Sequence, residues 1–344
     1  MNLKQLSELL KLSPTTVSRA LNGYPEVSEA TRKRVRAAAD AHGYHPNIRA
    51  RALATGRAMA IGHVLPLDSR NEVVNPIFGD FISGAGETYA QAGYDMLISI
   101  VSEAEQEEAY RAFRTKGNVD GIIVHGPRMH DSRISLLNDI GIPYVVHGRA
   151  SDAREPYSWV DVNNMHAFER ATHFLLDLGH RRIGLINGQE SMDFAIRRRA
   201  GFEAALGARG LVAEPRWLRS GEMSETFGHD MAREMLAAPT PPTAFLVSSM
   251  IVAIGVRRAI EELGLRMGRD VSVITHDDVL SYFRNGAEVP LFTATRSSVR
   301  EAGRLSAEML LELIATPGGP PRTRLLEAEL TVGQSTGPAP GPAP

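Results

Sequence analysis

From Ala58 to about Leu330 the chain repeats one pattern, a short apolar run followed by a longer amphipathic one, and few folds accommodate that repeat. The runs AMAIGHVL (58–65), YDMLIS (94–99), VDGIIVH (119–125), PYVVH (143–147), RIGLIN (182–187), TAFLVS (243–248) and VSVITH (271–276) have strand length and strand composition. Between them, Phe78–Ala92, Glu103–Lys116, His166–Leu178, Phe194–Arg209, Ile251–Leu263 and Val299–Ile314 space their apolar residues for helices. Strands joined by helices pair in parallel and are covered on both faces. Roughly nine such units predict two doubly wound halves rather than one. Ligands of such sheets bind beyond the C-terminal strand ends, which with two halves face a shared cleft; His125, His147 and His276 stand at those ends.

The first 46 residues follow a different rule. Leu3, Leu6, Leu9 and Leu10 line one face of a short helix, with Asn2 placed to cap it. Ser13-Pro14 opens a second helix running to about Asn22. Val17, Ala20 and Leu21 form its packing face, and Thr15, Thr16, Ser18 and Arg19 supply donors and acceptors elsewhere. Gly23 ends it, and Ser28 opens a third helix that carries Arg32, Lys33, Arg34 and Arg36. Two short helices joined by a tight turn set a recognition helix into the major groove, although the pattern alone equally suits a three-helix unit that binds no DNA. Charge favours the DNA reading. Residues 1–60 hold ten Lys/Arg against four Asp/Glu, so a head of net +6 precedes a remainder of −8 in a chain of −2.

The string SPTTVSRALNG, followed by PEVSEATRKRV and GYHPN, strongly resembles the head of the LacI/GalR family of transcriptional regulators. The resemblance implies DNA contacts by Pro14, Thr15, Thr16, Ser18, Arg19 and Asn22. After Pro46, NIRARALATG (47–56) can form only one or two helical turns, too short to be stable alone. By resemblance, residues 47–57 are the hinge helix that folds against its partner on the operator. Asn47, Arg49 and Ala50 then join the DNA contacts, and Leu53 wedges into the minor groove. Without the resemblance Leu53 reads as an ordinary linker residue. One departure is Lys11, where the family has its turn glycine.

The body resembles the same family along almost its whole length. NPIFGDFISGAGETYAQAGYDMLI, VDGIIVHG, GIPYVVHGR, FLLDLGHRRIGLING, RRRAGFEAAL, GRDVSVITHDD and FTATRSSVREAGR stand in the family's order. This implies a periplasmic-binding-protein-like pair of lobes at 58–330, exchanging strands near Val160, Phe292 and Pro320: an N-lobe of 58–160 plus 292–319 and a C-lobe of 161–291 plus 320–330. It also implies an effector pocket with Phe78 as a wall, Arg198 as the gripping arginine and Asp277 as a carboxylate accepting from ligand hydroxyls. An arginine fork facing a carboxylate suits a polyhydroxylated ligand, though the two could equally form a surface ion pair. Only its spacing to Gly201 distinguishes Arg198 from Arg197 and Arg199.

Other positions depart from the family. Ser249-Met250 replaces the usual Asn-Asp, Asn163-Asn164 the usual Asp-Asn, and His147-Gly148-Arg149 the usual Val-Asp-Arg. The expected effector set therefore adds His125, His147, Met223, Ser249 and His276, with Glu222 nearby; each reads equally as a core or rim residue. Phe78, Trp159, Tyr282 and Phe283 could stack on a sugar face, and a nucleobase pocket fits the same parts. THDD, LNGYPEVSEATR and Ser248-Ser249-Met250 are most similar to regulators of α-glucoside use. The implied function is a repressor of carbohydrate uptake or catabolism genes, released from a palindromic operator when a small sugar binds. Alternatives are a corepressor-dependent or purine-responsive regulator and, more distantly, a sugar receptor without a DNA role.

Composition narrows the remaining classes. With no cysteine, disulfides and thiol catalysis are excluded, which suits the cytoplasm. No apolar run reaches membrane-spanning length and no secretory signal is evident, as a transport receptor would require. There is no GxGxxG, P-loop, HExxH or GxSxG, so neither an enzyme nor a cofactor or metal is expected. The tail, TVGQSTGPAPGPAP (331–344), is expected to be disordered. It has no leucine heptad, so the expected assembly is a homodimer whose two heads match a two-fold operator.

Overall fold

The computed structural model describes residues 1–21, 23–44, 56–66 and 75–341. Asn22 and the hinge positions Asn47, Arg49, Ala50 and Leu53 lie outside them. The chain divides into two compact units, Met1–Met59 and Ala60–Pro344.

The first unit holds α1 (Leu3–Leu10), α2 (Pro14–Leu21) and α3 (Glu29–Ala41). Each start is capped as its residues predict. Asn2 and Gln5 exchange side-chain-to-backbone bonds of 2.9 Å, Ser13 Oγ accepts from Thr16 N at 3.0 Å, and Ser28 Oγ accepts from Thr31 N at 3.3 Å. Leu6, Val17, Ala20 and Val35 are fully buried, with Leu10, Val27, Ala39 and Tyr44 closing the core. Arg32 donates to Gly23 O and Arg34 to Leu10 O, so two cations of α3 tie the helices together.

Lys11 caps α1 with φ 51°, a left-handed conformation that an L side chain adopts at a cost of about 1–2 kcal/mol. Lys11→Gly should therefore stabilise the head by about 0.5–1 kcal/mol. Urea unfolding followed by circular dichroism would detect this as a raised midpoint at unchanged slope.

The second unit is two sheets. β1 (Ala60–Pro66), α4 (Pro76–Ala92), β2 (Asp95–Val101), α5 (Gln106–Lys116), β3 (Gly121–Val124), α6 (Ser132–Ile140), β4 (Tyr144–His147) and β5 (Trp159–Val162) build the N-lobe. The C-lobe follows with α7 (Asn164–Asp177), β6 (Ile183–Asn187), α8 (Asp193–Gly207), β7 (Leu218–Ser220), α9 (Glu225–Leu236), β8 (Ala244–Val247), α10 (Met250–Glu262), β9 (Ser272–Asp277) and β10 (Thr293–Arg296). Then α11 (Val299–Ala315) packs on α4, β11 (Thr323–Leu326) joins the first sheet and β12 (Glu329–Thr331) the second. The orders are β11-β5-β4-β3-β1-β2 and β12-β10-β9-β8-β6-β7, parallel throughout except for β12 against β10.

Two of the three crossovers differ from those expected. Val160 pairs with His147 inside the N-lobe sheet, Thr293 with Ile274 inside the C-lobe sheet, and Leu326 with Val162 back in the N-lobe. The chain thus leaves a sheet after β5, two residues beyond Val160 and so close to the expected place, but after β10 and between β11 and β12 rather than near Phe292 and Pro320. A strand completes its hydrogen-bond ladder before the chain departs, whereas the boundaries expected at Phe292 and Pro320 lay before the starts of β10 and β11.

The tail also departs from expectation. Ser335 is fully buried, its carbonyl accepting from Val273 N at 2.8 Å and its hydroxyl from Thr293 N at 2.8 Å. Gly337 O accepts from His180 Nε2 at 3.1 Å, and Ala339 N donates to Leu178 O at 2.8 Å. Composition foresaw no core from Gly, Pro and Ala, and none forms; backbone hydrogen bonds hold the segment instead.

Candidate functional site

Within the head, Pro14, Thr15 and Arg19 stand exposed on α2, away from the buried Val17 and Ala20. Thr16 and Ser18 are half-buried, and Thr16 Oγ1 is engaged with Ser13 Oγ at 2.8 Å as part of the cap. Tyr24, 39 % exposed just past α2, is a further candidate that the sequence analysis did not single out.

Within the body, a cavity of about 410 Å³ lies between the lobes at the C-terminal strand ends. Six of the eight expected effector residues line it: Phe78 at the start of α4, His125 after β3, His147 ending β4, Arg198 on α8, Met223 after β7 and His276 near the end of β9. Glu222 lines it too. Trp159, Tyr282 and Phe283 do not; Trp159 stacks on Arg149, and Tyr282 is almost fully exposed.

Asp277 and Ser249 are the two corrections. Along a strand alternate residues face opposite sides, so His276 and Asp278 share a face and Asp277 takes the other. Asp278 lines the cavity. Asp277 instead accepts from Arg296 Nε at 3.2 Å and Val279 N at 2.8 Å, fixing the turn that presents Asp278. Ser249 caps α10 by accepting from Val252 N at 3.3 Å, and Ser248 takes the cavity position, its buried hydroxyl without a partner among the described residues. Strand alternation applied to THDD could have identified Asp278. Phe81, Asn164 and Phe194 also line the cavity and were missed.

Arg198 is the chemical centre of the site. Its Nε donates to Asn164 Oδ1 at 2.8 Å and Nη1 to Ser248 O at 2.7 Å, while the Phe168 and Phe194 rings lie 5.0 and 4.9 Å from its guanidinium carbon. Among the described residues none takes Nη2, which leaves one edge of the fork for a ligand. Burial pulls this guanidinium down to about 10, still charged at neutral pH, and burial raises Asp278 to about 7 against the pull of Arg198. Close packing places Arg198: a Cβ on Gly201, one turn later, would lie 2.1 Å from Met165 O, so α7 and α8 touch only because that residue is glycine.

Two carboxylates bridge the lobes. Asp80 on α4 accepts from Ser281 N at 2.7 Å and from its hydroxyl; Asp193 on α8 accepts from Ser151 N and Oγ, both at 3.0 Å. Beside Asp193, Asp161 pairs with Arg149 at 2.8 Å and Arg197 at 3.0 Å.

Residues 3–47 match "Bacterial regulatory proteins, lacI family" and residues 172–336 a "Periplasmic binding protein-like domain". The chain is 43 % identical to the HTH-type transcriptional regulator AglR of Rhizobium meliloti (strain 1021), over all of this chain and 96 % of that protein. The chain belongs to the lacI family. It is a DNA-binding transcriptional regulator with a periplasmic-binding-protein-like body. The regulator also resembles the lac repressor dimer bound to operator and the anti-inducer ONPF (TM-score 0.84, 25 % identity, 98 % of this chain and 99 % of that one). A transcriptional regulator CelR–cellobiose complex matches with TM-score 0.71 at 27 % identity over 97 % of this chain and 99 % of that one. Among the described residues of the regulator, no helix is long and apolar enough to cross a membrane.

Burial holds the cavity histidines neutral, with His147 lowered to about 4, the adjacent His63 to about 3, and His125 and His276 well below their ordinary value. Such a group takes up a proton near pH 6.5 only when the regulator unfolds, so acid favours unfolding between that pH and the folded value, by about 1.4 kcal/mol per pH unit for each proton. Asp278 acts oppositely: raised to about 7 when folded, it binds its proton before the unfolded carboxyl does and offsets one histidine. Urea midpoints measured at pH 7.5, 6.5 and 5.5 should fall steeply over the lower interval, and a flat profile would contradict the burial of these rings.

Proposed function

We propose that the regulator is a repressor of carbohydrate uptake or catabolism genes that leaves a palindromic operator when a small sugar, of the α-glucoside class, binds between its lobes. The carrying observation is the cavity itself, which combines a buried guanidinium edge, a carboxyl and imidazoles with the rings of Phe78, Phe81 and Phe194. Polar groups that can pair with adjacent hydroxyls, set beside apolar faces, suit a sugar. Support also comes from the AglR relative, from the CelR–cellobiose complex and from the sequence motifs shared with α-glucoside regulators.

In this reading a cytoplasmic homodimer sets two α2 helices, led by Pro14, Thr15 and Arg19, in adjacent major grooves, while the paired Leu53 side chains open the duplex centre. The cleft binds its ligand without transforming it. A ligand held by Arg198, Asp278 and Ser248 from the C-lobe and by His125, His147 and Phe78 from the N-lobe has its differential affinity for one degree of lobe closure, the condition for any switch. The lac repressor dimer on its operator supports the assembly.

Operator binding at fixed salt, titrated with maltose, sucrose, trehalose, other sugars and purines, tests the reading. A lowered operator affinity with an α-glucoside is expected; a response to purines alone, or tighter binding, would overturn the ligand or the sign. Arg198→Lys keeps the charge but loses the planar fork. It should weaken the active sugar by about 10- to 100-fold in calorimetry and leave sugar-free operator affinity unchanged.

A further inference from the structure

Behind the N-lobe wall of the cavity lies a run of three side chains, of which only His125 is among the proposed ligand contacts. Tyr89, on α4, is 1 % exposed, and its hydroxyl lies 3.5 Å from His63 Nε2. His63, on β1, is fully buried, and its Nδ1 lies 2.9 Å from His125 Nε2. The two imidazole centroids are 5.2 Å apart with planes 24° from parallel. The nitrogen–nitrogen contact plus the two ring radii accounts for that spacing, so the rings meet edge to edge in a linear N–H···N bond rather than face to face. His125 reaches the cavity, flanked by Phe78 at 5.3 Å and Phe81 at 5.0 Å.

Hydrogen-bond accounting gives this run one polarity. The Tyr89 hydroxyl has one proton to place, and His63 Nε2 is its partner among the described residues; accepting from Nε2–H would leave a buried donor unmade, at about 1–3 kcal/mol. The tyrosine therefore donates. A neutral His63 that accepts at Nε2 carries its proton on Nδ1 and donates to His125 Nε2. A neutral His125 that accepts at Nε2 carries its own proton on Nδ1, for which no described residue is an acceptor.

We propose that Tyr89 and His63 act as positioning residues that lock His125 in its Nδ1–H tautomer, so that the N-lobe wall offers the effector a donor and selects ligands with an ether or hydroxyl oxygen at that point. This deepens the sugar reading and rests on it for the ligand, while the tautomer stands independently of any ligand. Because His125 is held by a chain of bonds, a ligand presenting an N–H or ammonium group there meets a donor that cannot reverse without stranding the tyrosine proton.

The test is the ring-nitrogen NMR spectrum of the full-length protein with 15N-labelled histidine, without ligand, assigned by His63→Gln and His125→Gln. Both His63 and His125 should show protonated Nδ1 and bare Nε2; an Nε2–H form of His125 would overturn the relay. In Tyr89→Phe the preference should be lost, with Nε2–H appearing on one or both rings, and an unchanged spectrum would remove Tyr89 from the relay. Calorimetry with maltose and sucrose completes it. Whichever sugar binds the wild type should bind Tyr89→Phe about two- to tenfold more weakly; equal affinity would overturn the selecting role. If neither sugar binds while both tautomers are as stated, the sugar reading fails and the lock stands.

Discussion

A guanidinium buried between two lobes requires compensation on every side, and much of the body is arranged around that requirement. Arg198 has an amide oxygen, a backbone carbonyl and two aromatic faces as standing partners, with a carboxyl opposite. Asn164 opens α7 where the chain first enters the C-lobe, and Ser248 ends β8, so a single side chain ties the lobe crossing to the strand ends. The close approach of α7 and α8 at Gly201 sets the position from which the fork reaches inward. Among the described residues, what remains unmade is one edge of the fork and the hydroxyl of Ser248, both at the cavity. A pocket whose fixed partners are nearly, but not fully, satisfied is preorganised for a ligand that completes the set.

The switch itself draws on the opposite situation, contacts that can be exchanged. Asp80 with Ser281 and Asp193 with Ser151 join the lobes through short polar side chains and backbone amides. Water can replace each such bond at little net cost, so the closure equilibrium lies within reach of a ligand's differential affinity. The neighbouring Arg149–Asp161–Arg197 group holds charge close to Asp193, linking one bridge to the crossing at β5.

How much of this was legible in the sequence follows from what each feature depends on. The seven apolar runs all became strands: six are buried on both faces, which leaves a local signature, and β2 keeps an apolar composition at the sheet edge with Ile98 and Ile100 exposed. The four-residue β5, the three-residue β7, the interior β10 and the edge strands β11 and β12 were not foreseen; their pairing depends on distant partners, and Thr293–Arg296 carries no apolar run. Helices α6 and α9 went unnamed for a related reason, as their apolar residues are few and interrupted by polar ones. In the site, residues at strand ends were foreseen from topology, whereas the choice of Asp278 over Asp277 and Ser248 over Ser249 turned on single-residue facing, which resemblance does not resolve and strand alternation does. The Tyr89–His63–His125 run spans three elements, and no spacing along the chain announces it.

The seated tail has a consequence for where this chain can be shortened. A boundary drawn at Leu330 from composition would look harmless, removing only Gly, Pro, Ala and a few small polar residues. It would strip Val273 and Thr293, on the two adjacent strands β9 and β10, of their partners at Ser335, and would bare the imidazole of His180. Those strands carry His276 and Asp278 to the cavity at their far ends. Ser335 to Ala339 thus behave as a seam along the underside of the ligand-bearing sheet, and the functional end of the body lies further along the chain than its last strand.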